Sequence, residues 1–85
     1  MMANVKIYTK NYCPYCVHAK NLLQNKGVSF TEENLEDNPE EMMALIQKTG
    51  MRTVPQIFIN DELIGGFTEL SALEQAGELD KKLAQ

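Results

Sequence analysis

Asn4 to Thr9 reads Asn-Val-Lys-Ile-Tyr-Thr, with Val5 and Ile7 alternating against Lys6 and Tyr8, the two-residue period of a half-buried strand. After a short loop, Pro14 opens a segment in which Val17, Ala19, Leu22 and Leu23 recur at helical spacing up to a stop at Gly27. Val28 to Glu33 then alternates again. A strand, a helix and a strand in this order have essentially one arrangement: two parallel strands joined by a right-handed crossover. The first third of the chain therefore already selects an α/β fold.

Asn38 followed by Pro39, Glu40 and Glu41 marks a second helix start, with an N-cap, a proline at the first helical position and acids on the positive end of the dipole. Met42 or Met43, Leu45 and Ile46 form its apolar stripe, and Gly50 ends it. Gln56 to Asn60 and Leu63-Ile64 are strand-like and meet in a tight hairpin at Asn60-Asp61-Glu62. Gly65-Gly66 breaks the pattern, and Thr68 is read as the cap of a last helix carrying Leu70, Leu73 and Ala76. Gly77 interrupts that helix, and Leu79 and Leu83 continue its stripe. The predicted order is β-α-β-α-β-β-α, a single domain over residues 1–85 without repeats or linker. Val5, Ile7, Phe30, Ile57, Ile59, Leu70 and Leu73 are its expected core.

Several classes of function fall away on composition. A formal net charge of -4 and the lack of any basic run argue against a phosphate-binding surface. No stretch is apolar for long enough to span a membrane. The N-terminus lacks the apolar core of an export signal, so the expected compartment is a reducing cytoplasm, where lasting structural disulfides are rare.

Against that background stand two cysteines, Cys13 and Cys16, the only two in the 85 residues. A bridge between them closes too short a loop to restrain the unfolded chain much. Their position suggests chemistry instead. Cys13 falls at the start of the first helix, where its sulfur faces the free N–H groups of Tyr15 and Cys16 and the positive end of the dipole. Such a site lowers a thiol pKa from about 8.5 into the range ~3.5–7.5. Cys16, one turn in, is the shielded partner, and a disulfide suits this separation. An exposed nucleophile beside a resolving thiol is what dithiol–disulfide exchange requires. A zinc site needs about four ligands. His18, the one further candidate, points away from both sulfurs and reads as a solvated surface residue. Two inert buried cysteines fit poorly with a proline at a helix start.

The run Cys13-Pro14-Tyr15-Cys16, with Lys10 before it, Thr53-Val54-Pro55 ahead of a strand and Gly65-Gly66 after it, resembles the dithiol glutaredoxins over nearly the whole chain. The resemblance implies a thioredoxin-like fold, a four-stranded mixed sheet in the order 2-1-3-4 with helices on both faces. It implies that Cys13 attacks glutathione mixed disulfides, that Cys16 resolves protein disulfides, and that glutathione is the reductant, with no metal. Lys10, Tyr15, Thr53, Val54, Pro55, Gly66, Phe67 and Thr68 are the implied glutathione contacts, with a cis bond at Val54-Pro55. The implied partners are glutathionylated or disulfide-containing proteins, ribonucleotide reductase among them, acting on a monomer.

Two positions depart from the family pattern. Thr68 stands where an aspartate often holds the glutathione amino group, and Met42 and Met43 occupy a turn that often carries a basic or amide residue. Both departures imply a weaker hold on glutathione. They leave open a glutaredoxin-shaped electron donor reduced by a flavoprotein reductase. An iron–sulfur carrier is a further alternative, disfavoured by Pro14, which stiffens the loop a cluster would occupy.

Overall fold

The protein is described by a computed structural model covering residues 3–84. Strand β1 (Val5–Thr9) leads to helix α1 (Pro14–Asn25), strand β2 (Thr31–Asn34) and helix α2 (Pro39–Thr49). Strands β3 (Gln56–Ile59) and β4 (Glu62–Gly65) follow, then helices α3 (Phe67–Gln75) and α4 (Leu79–Leu83). The sheet order is β2-β1-β3-β4, with β1 parallel to β2 and β3 antiparallel to both β1 and β4. This is the thioredoxin-like topology that the resemblance implies.

Alternation along the two central strands divides the interior into two layers. Val5 and Ile7 of β1 and Ile57 and Ile59 of β3 pack against Ala19 and Leu23 of α1, Leu70 of α3 and Leu79 of α4. Phe30 and Leu73, expected in this core, lie half-buried at its margin. On the opposite face Phe58 packs with Leu35, Met42 and Leu45 under α2. The apolar position at the start of α2 is thus Met42, while Met43 is half exposed. Asn38 caps α2 as expected, its Oδ1 accepting the Glu41 N–H at 3.2 Å.

Two element starts differ from the sequence reading. Strand β2 begins at Thr31, three residues beyond Val28, because the Val28 N–H is still engaged at the end of α1, donating to the Leu23 carbonyl at 3.1 Å. The N-cap of α3 is Gly66, and Thr68 is the second residue of the helix. The hairpin turns on Asn60 and Asp61, both with positive φ (51° and 66°), the form that matches strand twist. At the far edge of the fold the Ala3 N–H donates to the Leu83 carbonyl at 3.3 Å, bringing α4 back beside the start of β1. No helix among the described residues is long and apolar enough to cross a membrane.

Candidate active site

The site begins where β1 ends. Thr9 is buried and its hydroxyl donates to Glu32 Oε2 at 2.7 Å, while Lys20 Nζ of α1 reaches both oxygens of the same carboxylate at 3.1 and 3.2 Å. The Thr9 hydroxyl first, and then the Lys20 ammonium, hold the Glu32 carboxyl below its usual range. One carboxylate on β2 thus ties the last residue of β1 to the active-site helix. Beyond it, the Asn11 N–H donates to Glu36 Oε1 and the Asn34 side chain donates to Asn11 Oδ1, each at 3.1 Å. Lys10 lies half-buried on this loop. Tyr12 is fully exposed with φ of 54°, a left-handed step uncommon for a bulky residue that turns the chain into α1.

Cys13 then caps the helix with its sulfur. Its backbone is extended (φ -118°, ψ 97°), and Sγ accepts the Cys16 N–H at 3.1 Å. Pro14 occupies the first helical turn, where its missing N–H costs nothing. Cys13 and Cys16 form a disulfide with their Cα atoms 5.2 Å apart. Cys16 is buried, whereas Cys13 is half-buried and lines a hollow of about 370 Å³ with Pro14, Tyr15 and Val54. Cys13 Sγ lies 3.8 Å from the Val54 carbonyl oxygen. The Val54-Pro55 peptide is cis.

A second hollow of about 300 Å³ shares Tyr15 and Val54 with the first and extends it into one groove. Thr53 and Pro55 line one side of it, and Gly66, Phe67 and Thr68 line the other. Seven of the eight contacts implied by the resemblance therefore border a single groove next to Cys13. Lys10 is the exception and lines neither hollow.

Two further residues belong to this region. Met51 and Glu69 also line the groove. Glu69 Oε1 accepts the Gly66 N–H at 2.7 Å, and Gly65, at φ of 120°, adopts a conformation open to glycine that leaves this carboxylate room. Because Gly66 has no side chain to return the cap, the first N–H groups of α3 stay without an intrahelical partner at the groove wall. His18 is exposed as expected, yet its ring lies 5.6 Å from Phe67, and Phe67 stacks on Tyr15 at 6.1 Å and 20°. No local pattern reveals this stack, which depends on how α1 and α3 pack.

Fold and site together define a thioredoxin-like thiol–disulfide oxidoreductase with a redox-active cysteine pair. The Glutaredoxin family model matches residues 5–64. Glutaredoxin 3 of Escherichia coli K12 is 51% identical over 82 residues, covering 96% of this chain and 99% of that protein. Glutaredoxin of Pseudomonas aeruginosa is 49% identical over 83 residues, covering 98% and 99%. The solved buckwheat glutaredoxin–glutathione complex superposes with a TM-score of 0.88 at 31% identity, covering 96% of this chain and 77% of that one. The chain belongs to the glutaredoxin family.

Proposed function

We propose that the chain reduces disulfides at the expense of glutathione, with Cys13 as nucleophile and Cys16 as resolving thiol. The observation that carries this reading is the Cys13 sulfur at the cap of α1, accepting the Cys16 N–H at the mouth of the groove. In the reduced protein the same N–H and the helix dipole stabilise a Cys13 thiolate and make it a good leaving group. Cys13 attacks the glutathione sulfur of a mixed disulfide, becomes glutathionylated and releases the substrate thiolate. A second glutathione thiolate attacks that sulfur, forming oxidised glutathione and freeing Cys13. With a protein disulfide, Cys13 forms a mixed disulfide with one substrate sulfur, and Cys16 then attacks Cys13. This closes the Cys13–Cys16 bond and releases the second substrate thiolate, and two glutathiones restore the dithiol. Glutathione is a substrate in this scheme, held by Tyr15, Thr53, Val54, Pro55, Gly66, Phe67 and Thr68, with Lys10 as an electrostatic neighbour. Support comes from the family and from the neighbour solved with glutathione. The working setting is a monomer in the cytoplasm acting on glutathionylated and disulfide-containing proteins.

The test is turnover of a glutathionylated peptide with reduced glutathione as the only reductant. Steady turnover is expected. A protein that works with dithiothreitol but not with glutathione would point instead to reduction by another donor, such as a flavoprotein reductase.

A further inference from the structure

Gln56 opens β3 fully buried, in a strand whose other residues, Ile57, Phe58 and Ile59, are buried and apolar. A hydrocarbon of the same size suits such a position. An amide stands there instead, and its Oε1 has no hydrogen-bond partner. A buried polar atom left without a partner costs stability, so packing alone does not account for this side chain. What the amide does is visible at its other end. Nε2 donates to the Met51 carbonyl at 2.9 Å and to the Thr53 carbonyl at 3.1 Å, so both of its N–H groups are spent on one stretch of main chain.

That stretch lies between α2 and β3 and has no regular structure of its own. Apart from Gln56, two side-chain contacts reach its main chain among the described residues: the Thr49 hydroxyl accepts the Met51 N–H at 3.1 Å, and the Cys13 sulfur meets the Val54 carbonyl, the point the stretch has to hold in place. Met51, Thr53 and Val54 nevertheless form one wall of the groove, and the Val54 carbonyl lies 3.8 Å from the Cys13 sulfur. We infer that Gln56 is a positioning residue of the active site, whose amide holds the Met51–Thr53 main chain so that the Val54 edge keeps its place beside Cys13. The inference rests on the reading that a substrate disulfide lies in this groove against Cys13.

The test compares the wild-type chain with Gln56→Met, which keeps the volume and suits the apolar surroundings while removing both donors. The KM for a glutathionylated peptide should rise about five- to tenfold with kcat changed less than about twofold, the split expected when substrate binding is lost. Cys13 alkylation by iodoacetamide should keep its rate, and the thermal midpoint should fall little. Hydrogen exchange should quicken at the Thr53 and Val54 amides and stay unchanged at Ile57 and Ile59. An unchanged KM overturns the inference. So does slower Cys13 alkylation, which would place the effect on the thiol, or a Gln56→Met chain that does not fold, which would make the amide a core requirement. The same comparison run with dithiothreitol keeps the two readings apart. Wild-type turnover with dithiothreitol but none with glutathione refutes glutathione dependence, and the KM of the variant with dithiothreitol then still decides the role of Gln56.

Discussion

At the scale of single residues, the two thiols differ in exposure and in hydrogen bonding, and the proposed mechanism gives them different work. Cys13 is the accessible sulfur and holds the helix cap, whereas Cys16 is enclosed. Cys13→Ser should abolish every activity, while Cys16→Ser should keep turnover of glutathionylated peptides and lose reduction of protein disulfides. Equal losses in the two assays would contradict the division of roles. Glu32 gives a second residue-scale prediction. Its folded pKa lies below the ordinary 4.5, so its contribution to stability is complete above that value and is lost as pH falls through the lowered folded one. Glu32→Gln should cost about 1 kcal/mol at pH 7, with the gap to wild type closing below pH 4.5 in acid-unfolding curves. A gap of constant size across that range would show that the carboxylate charge is not what matters. The placement of the cysteines, Cys13 at the cap and Cys16 enclosed, was legible because a proline beside a cysteine at a helix start is a local signal. The contacts of Glu32 and Gln56 were not, because each meets a main chain or side chain that only the tertiary fold brings near.

At the scale of elements, the start of α3 shows where sequence signals mislead. Threonine is a good N-cap, and Thr68 precedes an apolar stripe, so it reads as the cap. The chain starts the helix two residues earlier, because Glu69 reaches back to the Gly66 N–H and Gly66 takes the extended conformation (φ -95°, ψ -163°) that a cap needs. Glu69→Ala should lower stability by about 1 kcal/mol, a shift of about 4–8 °C in a domain of this size. A Cβ on Gly65 would lie 2.8 Å from Glu69 Oε1 and 2.9 Å from its Cγ, and the backbone there has φ of 120°. Gly65→Ala should therefore cost more, about 1–3 kcal/mol. Because the added methyl displaces the Glu69 side chain, the two losses should not add: the double variant should melt above the temperature expected from their sum. Strict additivity in thermal unfolding would mean that Glu69 yields freely. The parallel pairing of β1 with β2, by contrast, was readable early from the alternation of Val5 and Ile7 and the crossover after Pro14, whereas the full strand order was implied only by the resemblance to the glutaredoxins.

At the scale of the whole molecule, two apolar layers hold the sheet without help from the cysteine bridge, which closes a ring of only a few residues. Loop-closure entropy for so short a ring is about 2 kcal/mol at most. Reduction with dithiothreitol should leave the far-ultraviolet circular dichroism unchanged and the protein folded at room temperature, and unfolding on reduction would show that the bridge is structural. The opposite end of the fold is fastened separately. Lys26 Nζ meets Glu74 at 2.8 Å and Asp80 at 2.9 Å, linking the end of α1 to α3 and α4, and its pKa is raised by the Glu74 contact first and the Asp80 contact second. Lys82 joins α4 to Glu62 of β4 at 3.0 Å. The pairing of Ala3 with Leu83 lies at this same end, beside the start of β1, while Cys13 follows the finish of that strand. The molecule thus has a handle and a working end. A tag, tether or neighbouring domain joined before Ala3 or after Leu83 departs from the handle and leaves the groove uncovered. A short linker between the two, with the chain reopened at the Asn60-Asp61 turn, would make a circular permutant that keeps the cysteines where they are.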